Sequence, residues 1–148
     1  MSGRRILSGG TRTKPGGPIL IVDDNADDAA LTKRAIVSLY PDLSVRILES
    51  GKALVAYLEN ESAHASAAPQ VASAILLDLR MPEMDGFEVL EWLKNHPVHS
   101  QIPVIVLSVF DDLQHLKRAY ALLARAYLLK PINTDSFRHA VASLNIDC

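Results

Sequence analysis

Five short, largely apolar segments recur along the chain: Ile19-Leu20-Ile21-Val22, Val45 to Leu48 with Arg46 inside it, Ala74 to Asp78, Pro103 to Ser108 and Ala126 to Pro131. Short runs without alternation suit strands buried on both faces of a parallel sheet. The segments between them change to helical spacing. Ala26 to Leu39 is one predicted helix, with Leu31, Ala35 and Leu39 inward, Asn25 as its cap and Asp27 and Asp28 in the dipole-favoured first turn. Ser50 caps a second over Gly51 to Glu59, with Leu54 and Leu58 inward, and Gly86 to Asn95 carries a third through Phe87, Leu90 and Leu93. A fourth spans Asp111 to Leu123, with Leu113, Leu116, Tyr120 and Leu123 near one stripe, and Thr134 caps a fifth through Phe137, Val141 and Leu144. Asn60 to Ser73, rich in Ala and Ser, is a long surface loop or an extension of the second helix.

Strands alternating with helices imply right-handed crossovers and a parallel sheet covered on both faces. Parallel strands share a direction, so their C-terminal ends line one edge, where open α/β sheets place their ligand crevice. Four of the five runs end there on polar or ionisable residues: Asp23 and Asp24, Asp78, Ser108, and Lys130.

Composition narrows the setting. With 148 residues, 49% hydrophobic and 22% charged, the chain is an ordinary globule of one domain. A net charge of -2 gives no electrostatic case for nucleic acid. No apolar run approaches a membrane span or a secretory signal core, so the expected location is the cytoplasm, with no membrane partner. Residues 1–17, with Arg4, Arg5, Arg12 and Lys14 and no acid, are expected to form a flexible basic tail. The single cysteine, Cys148, has no internal disulfide partner.

Three carboxylates in one crevice repel one another unless a cation intervenes. Oxygen-only ligation suits Mg²⁺, with Mn²⁺ as a substitute, better than Zn²⁺. Lys130 adds a second positive charge, and Ser108 a hydroxyl able to donate to a phosphoryl oxygen. An Asp carboxylate is an accepted nucleophile for phosphoryl transfer, which makes Asp78 the candidate acceptor. His64, His96, His99, His115 and His139 lack metal-ligand spacing and are expected at the surface, while Tyr57 and Trp92 are expected to pack.

Val22-Asp23-Asp24-Asn25, Leu77-Asp78-Leu79-Arg80-Met81-Pro82-Glu83-Met84-Asp85-Gly86, Pro103 to Ser108 and Tyr127-Leu128-Leu129-Lys130-Pro131 resemble, in order and spacing, the four motifs of response-regulator receiver domains. The resemblance implies a receiver domain over residues 18–148 with a flavodoxin-like, doubly wound five-stranded parallel sheet of order 2-1-3-4-5. It also implies a phosphoryl group taken by Asp78 from a sensor histidine kinase, and Mg²⁺ held by Asp23, Asp24, Asp78 and the main-chain carbonyl of Arg80. Such a protein is not a conventional enzyme, but phosphorylates itself from a donor and dephosphorylates itself. By the same carry-over Ser108 and Tyr127 are the switch pair, Lys130 reads the phosphate, and the bond before Pro131 is cis. The switch then alters the face of the fourth helix, fifth strand and fifth helix. The stand-alone form and longer loop are similar to regulators partnered with bacterial phytochromes. Downstream, the expected contact is a target protein, a His-containing phosphotransfer protein or a second copy.

Departures from the family pattern are informative. Val109 stands where a small residue is common, Leu123 replaces a frequent glycine, and Arg80 and Phe110 border the position of attacking water. These three, Arg80, Val109 and Phe110, are the candidates for tuning phosphate lifetime, and Leu123 predicts an altered end to the fourth helix. The alternative is a receiver-like adaptor or dimerisation module that works without phosphate. An aspartyl-phosphate hydrolase would want a second acid two residues after Asp78, where Arg80 stands.

Overall fold

The computed structural model describes residues 17–64 and 72–146, so most of the basic tail, the 65–71 segment and Cys148 lie outside the described residues. Strands β1 (Ile19–Val22), β2 (Val45–Leu48), β3 (Ala74–Leu77), β4 (Val104–Ser108) and β5 (Ala126–Leu129) form one parallel sheet in the order β2-β1-β3-β4-β5. Helices α1 (Ala26–Leu39), α2 (Gly51–His64), α3 (Gly86–Lys94), α4 (Leu113–Ala121) and α5 (Thr134–Ser143) cover its two faces. The sheet order and layering match the predicted flavodoxin-like architecture, and α2 continues past Glu59 to His64.

The period of two in each strand splits the core. Leu20, Val22, Ile75, Leu77, Val104 and Val106 point to the face packed by α2, α3 and α4. Ile19, Ile21, Ala74, Leu76, Ile105 and Leu107 point to the face under α1 and α5, around Phe137. A strand buried on both sides needs apolar residues at every position, which is why these runs are continuous. Among the described residues no helix is long and apolar enough to cross a membrane.

Caps place the helices. Asn25 Oδ1 accepts from the N–H of Asp28 at 2.9 Å, and Ser50 Oγ accepts from that of Ala53 at 2.9 Å. Asp85 and Glu88 form a reciprocal capping box at α3. A Cβ on Gly86 would lie 2.6 Å from the carbonyl oxygen of Asp78, so only glycine lets α3 start this close behind that residue. At α5 the cap is Asn133, whose side chain accepts from Ser136 N–H, and not Thr134, which is already helical.

Two helix faces and one histidine differ from expectation. In α1 the buried stripe is Ala29, Thr32 and Ile36, while Leu31 is 54% exposed. A buried threonine hides that stripe from a count of apolar residues. In α4 only Ala119 is buried, and Leu113, Tyr120 and Leu123 are exposed. This short helix sits at the sheet margin over a small residue, so its larger apolar side chains face outward. His99, expected at the surface, is 2% exposed in a single 3-10 turn, beside Trp92 and His96. Burial, first, and the neighbouring His96 hold its pKa below the ordinary imidazole value.

Leu123 does not change how α4 ends. Ala124 N–H donates to Ala119 O and Leu123 N–H to Tyr120 O, both at 3.0 Å, which is the usual left-handed helix stop. Leu123 adopts φ 73 to make it. A side chain in that conformation costs roughly 1–2 kcal/mol. Leu123→Gly should therefore stabilise the fold by about 1 kcal/mol after loss of some side-chain contact, raising the thermal midpoint by several degrees.

Candidate functional site

Register converts the strand ends into a site. Val22 lies beside Leu77, and Leu77 beside Val106, so Asp23 and Asp78 emerge side by side, with Asp78 N–H donating to Val22 O at 3.0 Å. Ser108 pairs with Leu129, which brings Lys130 up next, its N–H bonded to Ser108 O at 2.8 Å. The Lys130–Pro131 peptide bond is cis.

Carboxylate oxygens of Asp23, Asp24 and Asp78 lie within 4.8 Å of one another. Asp23 and Asp78 are 4% and 7% exposed, whereas Asp24 faces solvent. Asp23 Oδ1 accepts from Asn25 N–H at 2.9 Å, and Asp78 Oδ1 from Arg80 N–H at 3.2 Å. Lys130 Nζ donates to Asp23 Oδ2 at 2.9 Å and Asp28 Oδ2 at 3.0 Å, and stands 3.4 Å from Asp78 Oδ2.

These contacts account for the electrostatics. Burial raises the Asp78 pKa from 3.8 to about 6, and the charge of Asp23 adds to this against the Arg80 N–H and the Lys130 ammonium. Burial works against the Lys130 ammonium, but hydrogen bonds to Asp23 and Asp28 and the charges of Asp78 and Asp23 lift it above its usual value. A clustered, partly dehydrated set of oxygen donors with one carboxyl pushed toward neutrality fits a hard divalent cation.

Ser108 is fully buried, and its Oγ accepts from Phe110 N–H at 3.0 Å. Tyr127 is half-buried and donates its hydroxyl to Phe110 O at 2.8 Å. Arg80 and Phe110 meet over the loops after β3 and β4, the guanidinium 5.7 Å from the ring centroid. Val109 is instead 56% exposed. It lines a groove of about 390 Å³ with Asp28, Leu31, Thr32, Lys130 and Ile132.

The structure thus brings Asp23, Asp24, Asp78 and Lys130 together, with Ser108 and Tyr127 linked through Phe110. Two participants were not anticipated. Asp28 reaches Lys130 although its sequence position marked it only as a first-turn acid; an acid one turn beyond the cap of a site helix was the available signal. His115 stacks on Phe110 at 4.1 Å and pairs with Asp112 at 2.7 Å, tying the loop after β4 to α4. No spacing rule points to it.

The response regulator receiver domain family matches residues 19–142. Response regulator Rcp1 of Synechocystis is 32% identical over 121 residues, which are 82% of this chain and 81% of that protein. The Mn²⁺-bound form of Rcp1 superposes with TM-score 0.70 at 30% identity, over 88% of this chain and 95% of that one. The bacteriophytochrome response regulator AtBRR gives TM-score 0.77 at 30% identity, over 90% and 95% of the two chains. The phosphorylated cyanobacterial phytochrome response regulator RcpA gives 0.70 at 31% identity, over 88% and 91%.

The Asp78 carboxyl loses its proton near pH 4 unfolded and near pH 6 folded without metal, so the folded state binds the extra proton between those values. Stability should fall as pH rises through that window and carry the full cost above it, about 3 kcal/mol. Asp78→Asn should remove the cost. In urea denaturation with chelator, the variant is expected to be more stable than wild type at pH 7 and to lose that advantage near pH 4.

Proposed function

The chain belongs to the response regulator receiver family of two-component signalling, and on that premise we propose that it is a phosphorylation switch whose acceptor is Asp78. The observation that carries the proposal is the Lys130 ammonium, bonded to Asp23 and 3.4 Å from Asp78 Oδ2, in a crevice of three clustered carboxylates.

In the proposed reaction an Asp78 carboxylate oxygen attacks the phosphorus of a kinase phosphohistidine. The P–N bond breaks, imidazole leaves with its electron pair, and an acyl phosphate forms on Asp78. Lys130 donates to one phosphoryl oxygen and the Ser108 hydroxyl to another. Asp23, Asp24, Asp78 and the Arg80 carbonyl would hold Mg²⁺ or Mn²⁺, whose charge offsets that of the phosphoryl oxygens. The Mn²⁺-bound relative Rcp1 supports that assignment.

Drawing Ser108 toward the phosphoryl group pulls on Phe110 through the N–H bond, and Phe110 O holds the Tyr127 hydroxyl. Movement of Ser108 is therefore passed to Tyr127 on β5, and to the face of α4, β5 and α5. The partners that fit are a cytoplasmic sensor histidine kinase, a phytochrome by likeness to AtBRR and RcpA, and a downstream protein, phosphotransfer protein or second copy. A phosphate-independent adaptor is the alternative. Exposed Leu113, Tyr120 and Leu129 on the α4 and β5 surface favour it, because that apolar area needs no phosphate to be offered.

Incubation with Mg²⁺ and acetyl phosphate should add one phosphoryl group to the wild type by intact mass and none to Asp78→Asn. Absence of labelling in the wild type, or equal labelling of the variant, overturns the switch in favour of the adaptor. Arg80 and Phe110 are assigned the exclusion of attacking water, and Val109 a narrowed approach from the groove. Phe110→Ala and Arg80→Ala should each hydrolyse the phosphoryl group several-fold faster than wild type in a phosphate-release time course.

A further inference from the structure

An ammonium group has three N–H donors, and Lys130 faces three carboxylates with them: Asp23 at 2.9 Å, Asp28 at 3.0 Å and Asp78 at 3.4 Å. The first two distances are ordinary charge-assisted hydrogen bonds, and the third is too long for one. Lys130 is therefore held just off the candidate nucleophile. Its side chain is 10% exposed, so the position is set by these partners and not by water.

The two short bonds differ in kind. Asp23 is 4% exposed and belongs to the cation-binding trio with Asp24 and Asp78. Any cation there draws on the same carboxylate that Lys130 uses. Asp28 stands apart from that trio, on the first turn of α1, with its side chain 41% exposed at the rim of the groove. Its backbone is pinned by the Asn25 cap, so its carboxylate projects from a rigid base. Among the described residues it is the one acid bonded to Lys130 from outside the trio.

We propose that Asp28 is a positioning residue: it anchors the Lys130 ammonium on the α1 side of the crevice, so that the third N–H is kept for an incoming phosphoryl oxygen instead of closing on the Asp78 carboxylate. The proposal rests on Asp78 being the acceptor and adds a residue to that chemistry. Without Asp28, the ammonium shifts toward the remaining acids and closes on Asp78 Oδ2. The nucleophilic oxygen is then tied up in a charge-assisted bond, and the donor for the phosphoryl group is misplaced. Loss of geometry falls on the rate at saturating phosphodonor. Loss of charge alone falls on Mg²⁺ affinity and would be shared by any nearby acid.

Asp27 supplies the control, since it is the neighbouring first-turn acid, exposed, with the same charge. The full chain is compared as wild type, Asp28→Asn, Asp28→Glu and Asp27→Asn, each checked for folding by thermal denaturation. Two readouts are taken: the Lys130 ammonium signal in ¹H–¹⁵N spectra without metal, and the labelling rate at saturating acetyl phosphate and Mg²⁺. Asp28→Asn should shift the ammonium signal and speed its exchange several-fold, and should slow saturated labelling about tenfold. Asp27→Asn should leave both within twofold of wild type, and Asp28→Glu should recover most of the rate. An unchanged ammonium signal in Asp28→Asn, or equal slowing by Asp27→Asn, overturns the positioning role. If the wild type takes no phosphate, the acceptor assignment falls, while the ammonium signal still decides whether Asp28 anchors Lys130.

Discussion

Repulsion among carboxylates brought to one sheet edge is the constraint on which this molecule turns. Asp23 and Asp78 are almost fully buried, and an uncompensated charge there would be expensive. Lys130 relieves this only in part, because Asp78 remains raised to about 6 with the ammonium beside it. A site left with surplus negative charge is receptive to a cation.

Rigid supports keep that tension from relaxing by movement. Each acid sits one residue beyond a strand whose side chains are buried on both faces, so the ends cannot drift apart without opening two cores. Gly86 lets α3 close directly behind Asp78, and the Asn25 cap fixes α1, from which Asp28 reaches Lys130. Backbone hydrogen bonds from Asn25 and Arg80 occupy one oxygen each of Asp23 and Asp78. The opposite oxygen of each faces Lys130. Each carboxylate thus has one structural side and one working side.

Beyond this core the loops carry the variation. Phe110 stacks on His115 while Arg80 lies against its ring, and His115 is in turn 5.9 Å from Phe87 of α3. Arg118 lies 4.0 Å from the Phe87 centroid. The aromatic series links three segments around the crevice, and connects the site's cover to α4. From Ser108 through Phe110 to His115 the contacts run unbroken from the crevice to α4.

Much of this was legible in the sequence because the signals are local or periodic. Uninterrupted apolar runs mark doubly buried strands, and a parallel sheet aligns their ends. The identities at those ends therefore pick out Asp23, Asp24, Asp78, Ser108 and Lys130, which the sheet gathers at one edge. What tertiary structure alone decided are matters of direction and distance. Thr32 turns inward and Leu31 outward because α1 rolls on the sheet, and α4 exposes its leucine and tyrosine because it overlies a margin, not a centre. Asp28 and Lys130, 102 positions apart, form a bond whose length depends on strand register and helix placement together. Local chemistry names the groups of the site; only the packed sheet sets which carboxylate each ammonium proton faces, because that is determined by fractions of an ångström between distant segments.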